Sequence, residues 1–365
     1  MPDIAMPLRF APSMETLAED ETETITKLKD ALREIGETTY QHSGHGSRTV
    51  HAKSHALLKG SFEVLDNLPA EYAHGLFASP GHYEAVVRIS TNPGDILDDS
   101  VSVPRGLALK IVGVDGTHLK PGGAPTQDFV MVNGPAFLAP EPKAFAKNLS
   151  LLAKTTDKAP GLKKAVSALA RGTEQVIEAF GGESATLKSM GGHPMTNPLG
   201  ESYFSQTPFL YGDYVAKFSL QPSSANLREL TDAPLDVTGR PNGIRDDLVD
   251  YFRAHGGEWE FKVQLLTNSE TMPIEDASVV WPEEESAFVT VARLTVEPQD
   301  SWNEDKAAQV DDGMSFSVWH ALADHRPLGG INRARKDTYE MSTQLRAQQN
   351  GCPIHEPRRE DVTAL

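Results

Sequence analysis

The chain has 365 residues, and its 34 Lys and Arg against 51 Asp and Glu give a formal net charge of −17. That balance excludes a non-specific nucleic-acid binder and a protein held to anionic membrane, because both need a basic face. With 39% hydrophobic and 23% charged residues the composition is globular, and no run reaches the ~20 apolar residues of a membrane span.

From Glu21 to about Glu37, Ile25, Leu28, Leu32 and Ile35 recur at helical spacing and predict an amphipathic helix in an N-terminal arm, 1–47. Strand-like runs follow at Ala85–Ser90, Gly106–Val114, Asp128–Val132, Val215–Leu220, Glu258–Leu266 and Phe288–Val296, separated by Gly and Pro. In the fifth, Trp259, Phe261, Val263 and Leu265 share one face and Glu258, Glu260, Lys262 and Gln264 the other, the pattern of a half-buried strand. Helices are expected at Lys143–Lys154 and Leu162–Phe180, the latter stopped by Gly181-Gly182, as an insertion over about 140–190. Pro121–Pro125 reads as a loop, and further helices are expected near Ile244–His255 and at Asn332–Gln349. This order predicts an α+β protein on an antiparallel barrel over 48–349, with a tail at 350–365. The single cysteine, Cys352, allows no intrachain disulfide, and the N-terminus lacks a secretory pattern, so the expected location is cytoplasmic.

His42, His45, His51 and His55 crowd one short segment. On a helix, His51 and His55 would form an i, i+4 metal pair, but the glutamate of the zinc-protease motif is here Ala52. A second constellation runs through Arg48-Thr49-Val50-His51, Val87-Arg88-Ile89-Ser90-Thr91, Pro104-Arg105-Gly106 and Asn133-Gly134-Pro135, and closes at Arg335-Lys336-Asp337-Thr338-Tyr339 with Arg346 beyond. Residues at i−4 and i+7 from Tyr339 share its helix face.

These blocks, in this order, resemble the haem catalases, over roughly Arg48 to Arg346. The resemblance implies a catalase-like antiparallel β-barrel with helical insertions, haem b as cofactor, and a C-terminal helix carrying the iron ligand. It assigns Tyr339 as the proximal ligand, as tyrosine is in catalase. His51 and Asn133 become the distal catalytic pair and Ser90 the residue orienting His51, with Arg48, Arg88, Arg335, Arg346 and Phe137 around the cofactor. The chain ends soon after the last helix. The C-terminal helical domain of full-size catalases, and the nicotinamide-binding surface of some, are therefore expected to be absent, as in the small catalase-related proteins, whose family activity is commonly peroxidase. The expected partners are a peroxide, a small organic electron donor and a second copy of the chain.

The chemistry behind these assignments is simple. A tyrosine with a pKa of about 10 must be held as phenolate to ligate ferric iron, and a cation one turn away at Arg335 favours that form. A distal histidine near neutral pKa can take a proton from one peroxide oxygen and return it to the other. Two buried propionates need cations, and three arginines offer the planar fork that suits carboxylates. Rival readings are a true catalase, a lipid-hydroperoxide isomerase on the same fold, a non-catalytic ligand-binding barrel and a metal protein using the four histidines.

Overall fold

The β-rich middle of the sequence folds into one antiparallel sheet in the computed structural model, which describes residues 6–120, 125–153 and 194–365. Its strands are β1 (Ser54–Val64), β2 (Gly81–Thr91), β3 (Arg105–Val112), β4 (Thr126–Val132), β5 (Tyr203–Phe204), β6 (Phe209–Tyr211), β7 (Tyr214–Pro222), β8 (Gly257–Leu265) and β9 (Val289–Val296). Their order is β5-β4-β3-β2-β1-β9-β8-β7-β6, and β5 also pairs with β7. That last pairing closes eight strands into a barrel and leaves β6 outside, on β7. Closure removes the unpaired edges that an open sheet would expose.

The barrel interior is aromatic. Phe62, Phe77, Phe129, Phe218 and Phe261 are buried there, with the Phe129 and Phe261 rings 4.5 Å apart. Each such ring, taken out of water, contributes roughly 1.5–3 kcal/mol. On β8 the expected alternation holds for Trp259, Phe261, Val263 and Leu265, while Gln264 on the opposite face is also buried. Its amide is satisfied by the carbonyls of Trp281 and Ser286 at 3.2 and 2.8 Å.

Five of the described helices are α1 (Glu21–Ser43), α2 (Pro142–Ala153), α3 (Gly243–Ala254), α4 (Gly330–Asn350) and the short α5 (Arg359–Thr363). Helix α1 continues past Glu37 and ends at Gly44, whose φ of 71° is left-handed, as a C-terminal glycine allows. Its Leu28, Leu32 and Ile35 pack with Ala146 and Leu149 of α2 and with Ala334, Met341 and Leu345 of α4. That fixes the rotation of α4: one stripe faces α1, and the stripe 335, 339, 342, 346 faces elsewhere. The predicted helix Leu162–Phe180, and most of the insertion expected at about 140–190, lie outside the described residues. No described helix is long and apolar enough to cross a membrane.

Candidate active site

His51 sits in the turn that enters β1, with a left-handed φ of 53° that is uncommon for a residue with a side chain. The turn is pinned on both sides. The His51 N–H donates to Asn92 O at 2.7 Å and the Ala52 N–H to Pro93 O at 3.0 Å. Arg88 Nη2 donates to Ala52 O at 3.1 Å. Next in sequence, the buried Lys53 ammonium is held by Asp99, Leu97 O and Pro241 O at 2.6–2.8 Å.

The imidazole then lies against β2 and β3. His51 Nδ1 is 3.2 Å from Ser90 Oγ, and a Cβ at Gly106 would fall 2.5 Å from the ring. Ser90 and Gly106 are register partners across β2 and β3, so one sheet position supplies both the hydroxyl and the space. The sequence reading expects a histidine near neutral pKa. Here burial first, then the charges of Arg88, Arg335 and Arg48, push it down to about 3, so the ring is neutral with a free lone pair.

Asn133 stands one residue beyond β4 and is tied to the same strand junction. Its Oδ1 accepts from the Arg105 N–H at 2.9 Å, and its Nδ2 donates to Glu201 at 2.7 Å. Sequence reasoning missed Glu201, which also receives Arg105 Nη1 and Thr196 Oγ1. Burial raises the Glu201 carboxyl above its usual range, against the opposing pull of Arg105 and these hydrogen bonds. No motif marks Glu201; the Asn197-Pro198-Leu199 turn before it was its only signal.

The three predicted propionate arginines come together. Arg48 donates to Asp311 Oδ1 and to Asp311 O at 2.9 Å, and Arg88 Nε donates to the same Oδ1 at 2.7 Å. Arg346 reaches from α4 to Asp311 O and to Met314 O. The other carboxylate oxygen, Asp311 Oδ2, accepts from Ser54 Oγ at 2.5 Å. Burial raises the Asp311 carboxyl, but Arg88 and Arg48 outweigh it and hold the group at about 2. Burial, and then the neighbouring guanidiniums, push Arg48 well below the usual arginine value. The Arg346 Nε is buried without an acceptor among the described residues.

On α4, Tyr339 is half-buried, and its hydroxyl makes no hydrogen bond among the described residues. The expected hydrogen bond from Arg335 to Tyr339 does not form here. Arg335 Nη1 instead donates to Thr207 Oγ1 and Asn332 Oδ1 at 3.1 and 3.2 Å, acceptors that the sequence reading did not name. Phe137 is expected to wall the distal pocket. The structure packs it against Phe145 and under the Arg335 guanidinium, 5.6 Å from the ring centroid, on the α4 side.

The four histidines do not converge. His45 pairs with Asp312, His51 with Ser90 and His55 with Thr91, and His42 ends α1. Among the described residues the ligand-like trio is Asp128, His320 and Glu356. Its cation is already present as Lys110 Nζ, 2.6 and 2.7 Å from Asp128 and bonded to Glu356. Cavities of about 460 Å³ beside Arg245 and Trp302, and about 510 Å³ beside Lys217 and Trp281, are lined by none of the predicted site residues.

Solved structures decide the fold. This is the catalase fold. A fungal catalase aligns over 96% of this chain and 68% of its own, with 17% identity and a TM-score of 0.56. Catalase A from Saccharomyces cerevisiae aligns over 98% and 72%, with 16% identity and a TM-score of 0.57. A bacterial catalase aligns over 98% and 67%, with 16% identity and a TM-score of 0.57. No protein-family model and no curated protein matches the chain.

Proposed function

We propose that the chain binds haem b between the His51 turn and α4 and reduces hydroperoxides with an organic electron donor. The observation that carries this reading is the arginine cluster. Three guanidiniums converge on Asp311, Arg48 and Arg88 on its carboxylate and Arg346 on its backbone carbonyl, and the buried Arg346 Nε lacks an acceptor among the described residues. Such a site is short of about two negative charges, which is what the two propionates of haem b would bring. Tyr339, two turns before Arg346 on the same stripe of α4, offers a hydroxyl with no hydrogen-bond partner among the described residues, suited to ferric iron once deprotonated.

When bound, haem would supply the iron centre that exchanges electrons with the peroxide. The protein's part is proton handling and orientation. In the tautomer whose Nδ1–H donates to Ser90 Oγ, the lone pair of His51 falls on Nε2, which takes the proton from one peroxide oxygen. The low basicity of the ring then makes it a ready acid for returning that proton to the leaving oxygen. Overall, one hydroperoxide gives an alcohol and water, while two donor molecules each lose one electron and one proton.

The peroxidase form of the reading, against catalase or isomerase, rests on the resemblance to the small catalase-related proteins. The deciding experiment is the visible spectrum after haem reconstitution, followed by peroxide with and without a phenolic donor. A Soret band and donor-dependent turnover are expected. No Soret band would overturn the haem reading, and peroxide loss independent of donor would favour a catalase. A lipid hydroperoxide rearranged without donor oxidation would favour the isomerase.

A further inference from the structure

Asp311 belongs to the π-helical turn Ala307–Asp312, in a stretch of sequence with no recognisable motif. Both of its carboxylate oxygens are engaged: Oδ1 by Arg48 and Arg88, Oδ2 by Ser54, whose hydroxyl also receives Trp302 Nε1 at 3.0 Å. Its backbone carbonyl takes Arg48 and Arg346 as well. One residue therefore touches all three arginines. The neighbouring acid, Asp312, bonds none of the three guanidiniums: its carboxylate faces His45 and Asn350, and its charge acts on Arg48 and Arg346 more weakly than that of Asp311. Arg245, the next nearby cation, donates to Ser54 O and stacks on Trp302 at 3.7 Å.

Three cations and one fixed anion leave the cluster at a charge of about +2. We propose that Asp311 is the resident counter-anion that sets this valence, so that the site is matched to a porphyrin with two free carboxylates. The inference rests on the haem reading above and adds a specificity determinant to it. A purely structural Asp311, one that only orients the guanidiniums, would behave in the opposite way on neutralisation. Losing orientation weakens the grip on carboxylates, whereas losing the counter-charge strengthens it.

The test is titration of the haem-free protein with haemin and with haemin dimethyl ester, which lacks both carboxylate charges, followed by the Soret band. The readout is the ratio of the two dissociation constants. In the unaltered protein the ester is expected to bind at least ~10-fold more weakly, the scale of a charge-assisted hydrogen bond. Asp311→Asn raises the cluster to about +3 and is expected to widen the ratio by about tenfold, as one more nearby unit charge would. Asp311→Glu should return it. The double variant Asp311→Asn with Arg48→Gln removes one charge of each sign and should restore the original ratio. It also keeps the test decisive if Asp311→Asn alone fails to fold. An unchanged or narrowed ratio in Asp311→Asn, or a double variant that no longer discriminates, would overturn the proposal while leaving the haem reading intact. Absence of any Soret band in the unaltered protein would instead remove the haem reading and this inference with it.

Discussion

Thr49 Oγ1 donates to Ser342 Oγ at 3.0 Å, joining the turn that carries His51 to the helix that carries Tyr339. Nearby, Gly46 and Asn350 exchange two hydrogen bonds, Gly46 N–H to Oδ1 at 2.7 Å and Nδ2 to Gly46 O at 2.9 Å. The two sides of the candidate site are thus fastened to each other, apart from any cofactor. Ser342→Ala is expected to cost about 1 kcal/mol of stability, the usual net worth of one hydrogen bond. In a double-mutant cycle with Thr49→Val the two losses should fall short of additive. Full additivity in denaturant melts would mean that the contact carries no coupling.

Tyr339→Phe tests the proximal assignment with little structural cost, because the hydroxyl has no hydrogen bond to lose among the described residues. The variant is expected to melt within about 0.5 kcal/mol of the unaltered protein, as uninvolved substitutions do. It should bind haem poorly or with a changed spectrum. An unaltered Soret band would take Tyr339 out of the site.

The depressed His51 value gives the haem-free protein a signed pH dependence. Between about pH 6.5 and 3 the unfolded chain holds a proton on this residue that the folded chain refuses. Stability from His51 is therefore full above about 6.5 and is lost as the pH falls towards 3. The buried His325, also pushed down to about 3 by burial, adds in the same direction. His51→Gln should lower the proton uptake on unfolding by about one across this window. Equal slopes in the two proteins would place the His51 ring in water. In the haem-loaded protein the same substitution should cut peroxide cleavage by ~100-fold or more.

Gly106→Ala asks whether the close approach of the imidazole matters. The new Cβ would arrive 2.5 Å from the His51 ring, and the ring can swing away more cheaply than β3 can move. Peroxide turnover is expected to fall at least ~10-fold with a stability change of about 1 kcal/mol or less. Turnover at the original rate would show that His51 need not lie against β3.

Much of this architecture was legible from the sequence, and the failures have physical causes. The barrel strands with clear alternation, such as β8, and the strongly periodic α4 appear where expected. Strand β1 escaped because its early residues, Ser54 to Leu58, are buried on both faces and show no alternation. Strands β5 and β6 are too short to leave a pattern. Within the candidate site, residues set at fixed spacing in a motif could be read directly, and Arg48, Arg88 and Arg346 do converge. Asp311, Glu201 and Thr207 could not, because each matters through a partner distant in sequence, and Asn332, three residues before Arg335, is held in place by the distant Thr207 and Pro208. The near-neutral pKa expected for His51 failed because burial of the ring, and then the charges of Arg88, Arg335 and Arg48, arise only once distant segments pack together.

The Thr49–Ser342 contact spans 293 residues. The Tyr339 helix is synthesised long after the His51 turn, and long-range closures of this kind form late and slowly. The two walls of the candidate site cannot face each other until the Tyr339 helix has been made. The His51 turn therefore waits for a partner made far later in the chain, and the join between the two walls is set by tertiary closure rather than by local folding.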